Sequence, residues 1–289
     1  MQKNFNNIVI DWYNPYGIGI ALKIKKKLIE KKTKFQKIEV YETLNFGKVL
    51  FIDDLIQSIE KGEESYHELL VHPVLFSHPN PENILIVGGG EGATLREVLK
   101  HPVKKVQMVD IDQEMIEIAK RYLKFDRGAF KNKKAEIIIG DGFEFLKQSN
   151  QIYDVIIADA TDPSESASCS LYTEKFYKLC YEHLNKNGIY VTQGGTCIFL
   201  HHNRIKKLYN DLKKIFKNVK VYSSSVFGLL SNWVFIVGIK GDIKIDEKPN
   251  KKIDKKLKFY TPELQRSIFT LPLFLQKILL SPEEKGPYK

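Results

Sequence analysis

The stretch ILIVGGGEG, from Ile84 to Gly92, decides the fold. Ile84 to Val87 is a short apolar, branched run with the length of a buried strand. Glycines follow at 88, 89, 90 and 92, and from Thr94 to Lys100 the pattern turns helical. A strand, a glycine loop and a helix in that order form the context in which such a loop carries meaning. Without side chains, Gly88 and Gly90 let the backbone approach a bound nucleoside, and the helix N-terminus offers free N–H donors. The spacing GGGEG departs from GxGxxG and is nearer to loops that hold S-adenosyl compounds than to the dinucleotide fingerprint.

Three further stretches fall in the right order for the same site: VDID (Val109 to Asp112), GDG (Gly140 to Gly142) and YDVIIADATDP (Tyr153 to Pro163). Asp110 ends the next strand, at the distance expected of an acid that accepts from ribose hydroxyls, while Asp112 is better placed to cap the following helix. Asp141 either accepts from an adenine amino group or makes an ordinary Asp-Gly turn. Asp159 and Asp162 follow a very apolar strand, at the edge where ligands of such sheets bind. With Glu91 and Asp110 they predict a carboxylate-lined pocket. That pocket suits a cationic ligand and disfavours one that carries its own carboxylate, because buried like charges repel.

Apolar strands alternate with amphipathic helices along most of the chain. Strands are predicted at Ile84–Val87, Lys105–Val109, Glu136–Ile139, Asp154–Ala158, Ile189–Gln193, Val219–Ser223 and Trp233–Ile239. Helices are predicted at Tyr66–Ser77, Thr94–Lys100, Gln113–Leu123, Thr173–Leu184 and Asn203–Phe216. This alternation argues an α/β fold with a mostly parallel seven-stranded sheet covered on both faces. The short gap before the last strand makes it an antiparallel edge. Ahead of it, Ile18–Lys27, Gln36–Thr43 and Lys48–Asp53 read as a small antiparallel β unit. The expected division is an N-terminal β domain (1–62), a catalytic domain (63–240) and a C-terminal extension (241–289), in which Ile268 to Leu280 could dock as a helix.

Composition excludes several classes. No apolar run approaches the ~18 residues of a membrane span, and the N-terminus lacks a signal-peptide core, so a cytoplasmic location is expected. The net charge of +10 admits a nucleic-acid partner. However, the lysines gather at Lys23–Lys34 and Lys248–Lys258 without an interleaved aromatic platform, and solvated faces account for them better. Three cysteines without CxxC spacing read as reduced thiols, and no His/Cys cluster has zinc-ligand spacing, so no metal is expected.

These residues resemble the polyamine aminopropyltransferases, the spermidine/spermine synthase family. The resemblance runs through TKFQKIEVYET (33–43), GKVLFIDDLIQS (47–58), YHELLVHPVLFSHPNP (66–81), GGGEGATLREVLKH (88–101), VDIDQEMIEIAKRYL (109–123), GDGFEF (140–145), DVIIADATDP (154–163) and LKFYTPELQRSIFTLPLF (257–274). Glu91 in GGGEG and VTQGG (Val191 to Gly195) look most like the thermospermine synthase branch. The resemblance implies an N-terminal β domain and a Rossmann-like catalytic domain of the class I methyltransferase type, in a homodimer or homotetramer. It implies transfer of an aminopropyl group from decarboxylated S-adenosylmethionine, a co-substrate rather than a resident cofactor, to a polyamine acceptor. Matched by motif, Gln36 and Asp110 would hold the ribose, Asp141 and Gly142 the adenine, and His67 and Glu91 the aminopropyl arm. Asp159 would be the catalytic acid/base, and Asp162 with Tyr66 would position the acceptor amine.

The departures from the family pattern fall on the acceptor side. DATDPSESA stands where many members read DSSDPxGPA, and VFGLLSNW (Val226 to Trp233) lacks the tyrosine of the family's P-[ST]-Y-P-x-G stretch. Donor use is therefore the firmer expectation, and putrescine, spermidine, agmatine or another amine fits as acceptor. Two other readings compete: a methyltransferase using S-adenosylmethionine, whose carboxylate Glu91 disfavours, and a non-catalytic nucleic-acid-binding module.

Overall fold

Strands that are apolar on both faces need cover on both. The computed structural model, which describes residues 7–13, 17–162, 167–197, 202–249 and 256–280, shows how this chain supplies it. The central sheet has seven strands: β6 (Asn83–Gly88), β7 (Lys105–Asp110), β8 (Ala135–Ile139), β9 (Tyr153–Asp159), β10 (Leu184–Thr196), β11 (Asn218–Val226) and β12 (Ser231–Ile239). Their spatial order is β11-β12-β10-β9-β6-β7-β8. The pairs β8–β7, β7–β6, β6–β9 and β9–β10 are parallel.

Helix α1 (Glu63–Ser77) and helix α2 (Ala93–Val98) cover one face, where Leu69, Leu70, Val74, Leu95 and Val98 pack with Ile84 and Ile86. The other face takes α4 (Gly142–Gln148), α5 (Glu174–Glu182) and α6 (His202–Lys213), with Leu146, Phe176 and Leu208 packed on Leu85 and Val87. The apolar stretch in the tail does dock, but as two short helices, α7 (Pro262–Ile268) and α8 (Leu273–Leu280), separated at Pro272. Leu275 and Ile278 of α8 join the second face.

The N-terminal unit is a five-stranded antiparallel meander: β1 (Ile8–Tyr13), β2 (Ile18–Lys32), β3 (Lys37–Thr43), β4 (Lys48–Ile52) and β5 (Leu55–Ile59). It docks through Ile38, Val40, Leu50 and Ile52 on Met115 of α3 (Gln113–Ile118) and on Ile118.

Two sequence expectations need correction. The last strand is antiparallel but is not the edge: β12 inserts between β10 and β11, pairing antiparallel with both. It is buried from Trp233 to Ile239, as an interior strand must be. The N-terminal unit also holds two strands the pattern did not mark, β1 and β5, and β2 runs to Lys32 rather than Lys27. The added part of β2, residues 28–32, is exposed or half-buried throughout and begins at a register shift against β3, between Lys27 and Ile29, so it offers no apolar alternation to read. Among the described residues, no helix is long and apolar enough to cross a membrane.

One buried carboxylate anchors the start of the tail's docked part. Glu68 of α1 accepts from the backbone N–H groups of Lys258, Phe259 and Tyr260, each at 2.8 Å. Replacing Glu68 with Gln turns an amide N–H2 toward these backbone donors. A loss of roughly 2–4 kcal/mol is expected. Thermal unfolding of Glu68→Gln checks it, together with faster amide exchange across residues 256–280; an unchanged melting temperature would contradict the anchor.

Candidate active site

The strand order reverses between β6 and β9: β7 and β8 lie on one side of β6, and β9 and β10 on the other. Ligands of open α/β sheets bind beyond the carboxyl ends of the strands at such a switch point. A cavity of about 170 Å³ opens there. Gln36, Tyr66, His67, Gly88, Gly90, Glu91, Asp110, Asp141, Gly142, Asp159 and Asp162 all border it. Every candidate from the sequence therefore reaches one site, although the residues span both sheets and α1.

The glycine loop turns immediately where β6 ends. Gly88 pairs with Asp159 across the sheet, at φ +86°, and a Cβ there would come within 2.2 Å of the Asp159 carbonyl oxygen. Only glycine tolerates both the left-handed backbone and the contact. At Gly90 a Cβ would sit 2.8 Å from Asp110 Oδ2, so the loop closes directly on that carboxylate.

Asp110 ends β7 and accepts from the backbone N–H of Asp112 at 2.9 Å. Burial pushes its carboxyl up to about 6, and the nearby charge of Asp112 adds to that. Asp112 caps α3 by accepting from the N–H groups of Glu114 and Met115. It also accepts from Thr33 at 2.8 Å and from Gln36 Nε2 at 2.9 Å. Gln36 thus borders the cavity with its amide N–H2 on Asp112. Asp141 caps α4, its Oδ1 accepting from the Phe143 N–H at 2.7 Å, and it borders the cavity.

Behind the loop lies a buried chain of charges. His67 Nε2 bonds Glu91 Oε1, and its Nδ1 lies 2.9 Å from Glu63 Oε2. Arg96 grips Glu63 with two N–H groups at 2.7 and 2.8 Å. Burial alone would disfavour the imidazolium, but Glu91 and Glu63 outweigh it and hold His67 well above its ordinary range. Glu91 Oε2 is enclosed and has no hydrogen-bond partner among the described residues.

Beside Glu91, Asp159 accepts from two hydroxyls: Tyr66 at 3.1 Å on Oδ1 and Thr94 at 2.6 Å on Oδ2. Burial, and then the charge of Asp159, push the Tyr66 phenol well up, so it stays a donor. Asp162 stands three residues on, toward β10. Its Oδ1 accepts from Gln193 Nε2 at 2.9 Å, and its Oδ2 pairs with Arg204 at 2.6 Å. In place of the family's tyrosine, segment 226–233 brings Leu229 and Trp233 to the cavity wall. The altered turn after Asp162, residues 163–166, lies outside the described residues.

Residues 63–249 match the profile of the Spermine/spermidine synthase domain, and residues 8–60 that of the Spermidine synthase tetramerisation domain. The chain belongs to the spermine/spermidine synthase family. It is 46% identical over 277 residues to a polyamine aminopropyltransferase of Thermococcus onnurineus, covering 94% of this chain and 96% of the relative. It is 46% identical over 280 residues to one of Pyrococcus abyssi, covering 93% and 98%. A crystal structure of a spermidine synthase in complex with the transition-state analogue AdoDATO superposes with a TM-score of 0.89 at 33% identity, over 94% of both chains.

Four polar residues that bond the acids at the cavity, or one another, escaped the sequence reading: Thr94, Tyr172, Gln193 and Arg204. Thr94 reads as a helix residue after the glycine loop. Gln193 reads as strand, yet its amide ties together Asp162, the Ala160 carbonyl and the Tyr172 hydroxyl. Arg204 sits in a helix rich in polar residues, where a charge reads as solvated. The pairing of β9 with β6 and with β10, and the place of α6, bring them to the acids. Away from the cavity, Glu68, His72 and Glu97 bring ligand-type atoms within 4.8 Å of one another. Their partners are protein groups: backbone N–H for Glu68, His101 for His72, and Arg96 and Lys100 for Glu97.

The raised carboxyl of Asp110 has a stability cost. Below its unfolded value of 3.8 both states are protonated and the cost vanishes; above about 6 the folded state bears the charge and the cost is complete. A rise from 3.8 to about 6 corresponds to about 3 kcal/mol. Asp110→Asn is therefore expected to melt higher than the parent at pH 7, with the gain fading as pH falls from 6 toward 4. Thermal scans at both ends of that window check it, and a gain independent of pH would contradict it.

Proposed function

We propose that the protein is a polyamine aminopropyltransferase, taking decarboxylated S-adenosylmethionine as co-substrate and releasing methylthioadenosine. In this reading Gly88 and Gly90 let the donor lie against the backbone. Asp110 accepts from the ribose hydroxyls, and Gln36, with its N–H2 on Asp112, offers its carbonyl oxygen. Asp141 and Gly142 take the adenine. The aminopropyl ammonium lies on Glu91, whose other oxygen is backed by His67.

The observation that carries the reading is the enclosed, unpartnered Oε2 of Glu91 beside Asp159. A buried acceptor atom of that kind calls for a donor, and a carboxylate calls for a cationic one. The carboxylate of intact S-adenosylmethionine would lie close to Glu91, which disfavours a methyltransferase.

The reaction needs little else. The lone pair of the acceptor nitrogen attacks the aminopropyl carbon bound to the sulfonium. That lone pair is freed when the acceptor ammonium gives a proton to Asp159; the C–S bonding pair then leaves on sulfur as a neutral thioether, and the product nitrogen remains a secondary ammonium. Tyr66 and Thr94 hold that carboxylate by hydroxyl bonds. A free primary amine, with a pKa of about 10.4, arrives mostly as ammonium, so a carboxylate that both anchors it and takes its proton serves the whole step. Alignment behind the C–S bond supplies the rest. Asp162 and Tyr66 position the acceptor.

The same reading takes 1–62 as the assembly domain of a homodimer or homotetramer, 63–240 as the catalytic domain and 241–289 as an extension on it. The location is cytoplasmic, and neither nucleic acid nor membrane is a partner.

Incubation with decarboxylated S-adenosylmethionine and a panel of amines tests this. Methylthioadenosine release is expected, with product NMR separating spermidine, spermine and thermospermine. Asp159→Asn is expected to lower kcat at least about 100-fold, the order of effect of a positioned base. Methylation with S-adenosylmethionine and no methylthioadenosine from any amine would overturn the proposal.

A further inference from the structure

The two acids at the acceptor end are held differently. Asp159 accepts from the neutral hydroxyls of Tyr66 and Thr94. Asp162 has a cation on Oδ2, Arg204 Nη1 at 2.6 Å, and an amide on Oδ1. Arg204 reaches it from α6, with its guanidinium 5.5 Å over the Tyr172 ring. The backbone makes room for this. Gly195, at φ +90°, has no side chain where a Cβ would lie 3.4 Å from Arg204 Nη1. Among the described residues, Asp162 is the one carboxylate in ion-pair reach of Arg204. The arginine side chain is 19% exposed and the aspartate 33%, so solvent screens the pair only in part.

Resting on the aminopropyl-transfer reading, we propose that Arg204 is an acceptor-specificity residue: it holds Asp162 as an ion pair, so a second ammonium of the acceptor meets a countered anchor. Asp159, beside the glycine loop, receives the reacting nitrogen. A second ammonium that falls at Asp162 shares that carboxylate with the guanidinium and is repelled by it. Arg204 keeps its charge throughout, since its pKa never enters the working range. Leu229 and Trp233 give the cavity an apolar stretch of wall. The favoured acceptors are amines whose chain lies along that apolar wall and whose further charge, if any, sits past Asp162. Short diamines are penalised.

The test compares a diamine with a monoamine of the same length, followed by methylthioadenosine release. In Arg204→Met, the KM for 1,4-diaminobutane is expected to fall about tenfold, the order of effect of one like charge near a partly buried ion. The competitive Ki of n-butylamine, which has no second ammonium, is expected to move less than about twofold. Arg204→Lys keeps the charge and is expected to retain the parent ratio of KM to Ki. Arg204→Gln, which keeps a donor to Asp162 without the charge, is expected to follow Arg204→Met and serves if the latter fails to fold. A KM that rises, or that moves in step with the butylamine Ki, would show that Arg204 only braces the loop and would overturn the proposal. Absence of methylthioadenosine from the parent enzyme with every amine would instead remove the reaction itself, and this inference with it.

Discussion

A fifteen-residue helix carrying three glutamates and two histidines is buried along almost its whole length, and the rest of the structure answers to that. Ionised groups are expensive to take out of water unless each is paired and hydrogen-bonded. In α1 each one is. Glu63 takes the fork of Arg96 from α2 and one face of His67. Burial pushes its carboxyl up, yet His67 and Arg96 outweigh this and hold it at about 2. Glu64 takes Arg127 and Lys258. Glu68 takes three backbone N–H groups of the tail. His72 takes Glu97 and His101. The partners come from the glycine-loop helix, the loop after α3 and the C-terminal segment, so satisfying one helix fixes the positions of three other segments.

That pairing also sets the chemistry. His67 is shared between Glu63 and Glu91, so its positive charge is divided, and Glu91, which borders the cavity, keeps one oxygen with no hydrogen-bond partner among the described residues. The same helix turn sends Tyr66 to Asp159. Tyr66 thus meets Asp159 and His67 meets Glu91, on a helix whose Glu68 also bonds the tail. Precision of this kind needs rigid support, and the buried ion network provides it.

Much of this was legible because the signals were local. Ile84 to Gly92 marks a strand and a turn that glycine alone can make, and Asp110, Asp141 and Asp159 each end a strand or open a helix. Strand ends are where such sheets gather ligands, so position along the chain gave position in the site. Asp112 as the helix cap was readable for the same reason. What stayed hidden was non-local. β12 looks like a terminal strand, and only its burial between two neighbours reveals an interior one. β2 runs through a lysine-rich half with no alternation to mark it. Gln193, Thr94 and Arg204 carry residue types that are ordinary in a strand or helix, and their roles come from what lies across the sheet.

In the proposed reading, the carboxylate-lined pocket selects a donor that has lost its carboxyl group. Calorimetric binding of decarboxylated and intact S-adenosylmethionine to the parent protein and to Glu91→Gln tests it most directly. The decarboxylated compound should bind at least about 100-fold more tightly to the parent, and the gap should close to within about tenfold in Glu91→Gln. Equal or tighter binding of intact S-adenosylmethionine by the parent would contradict the account.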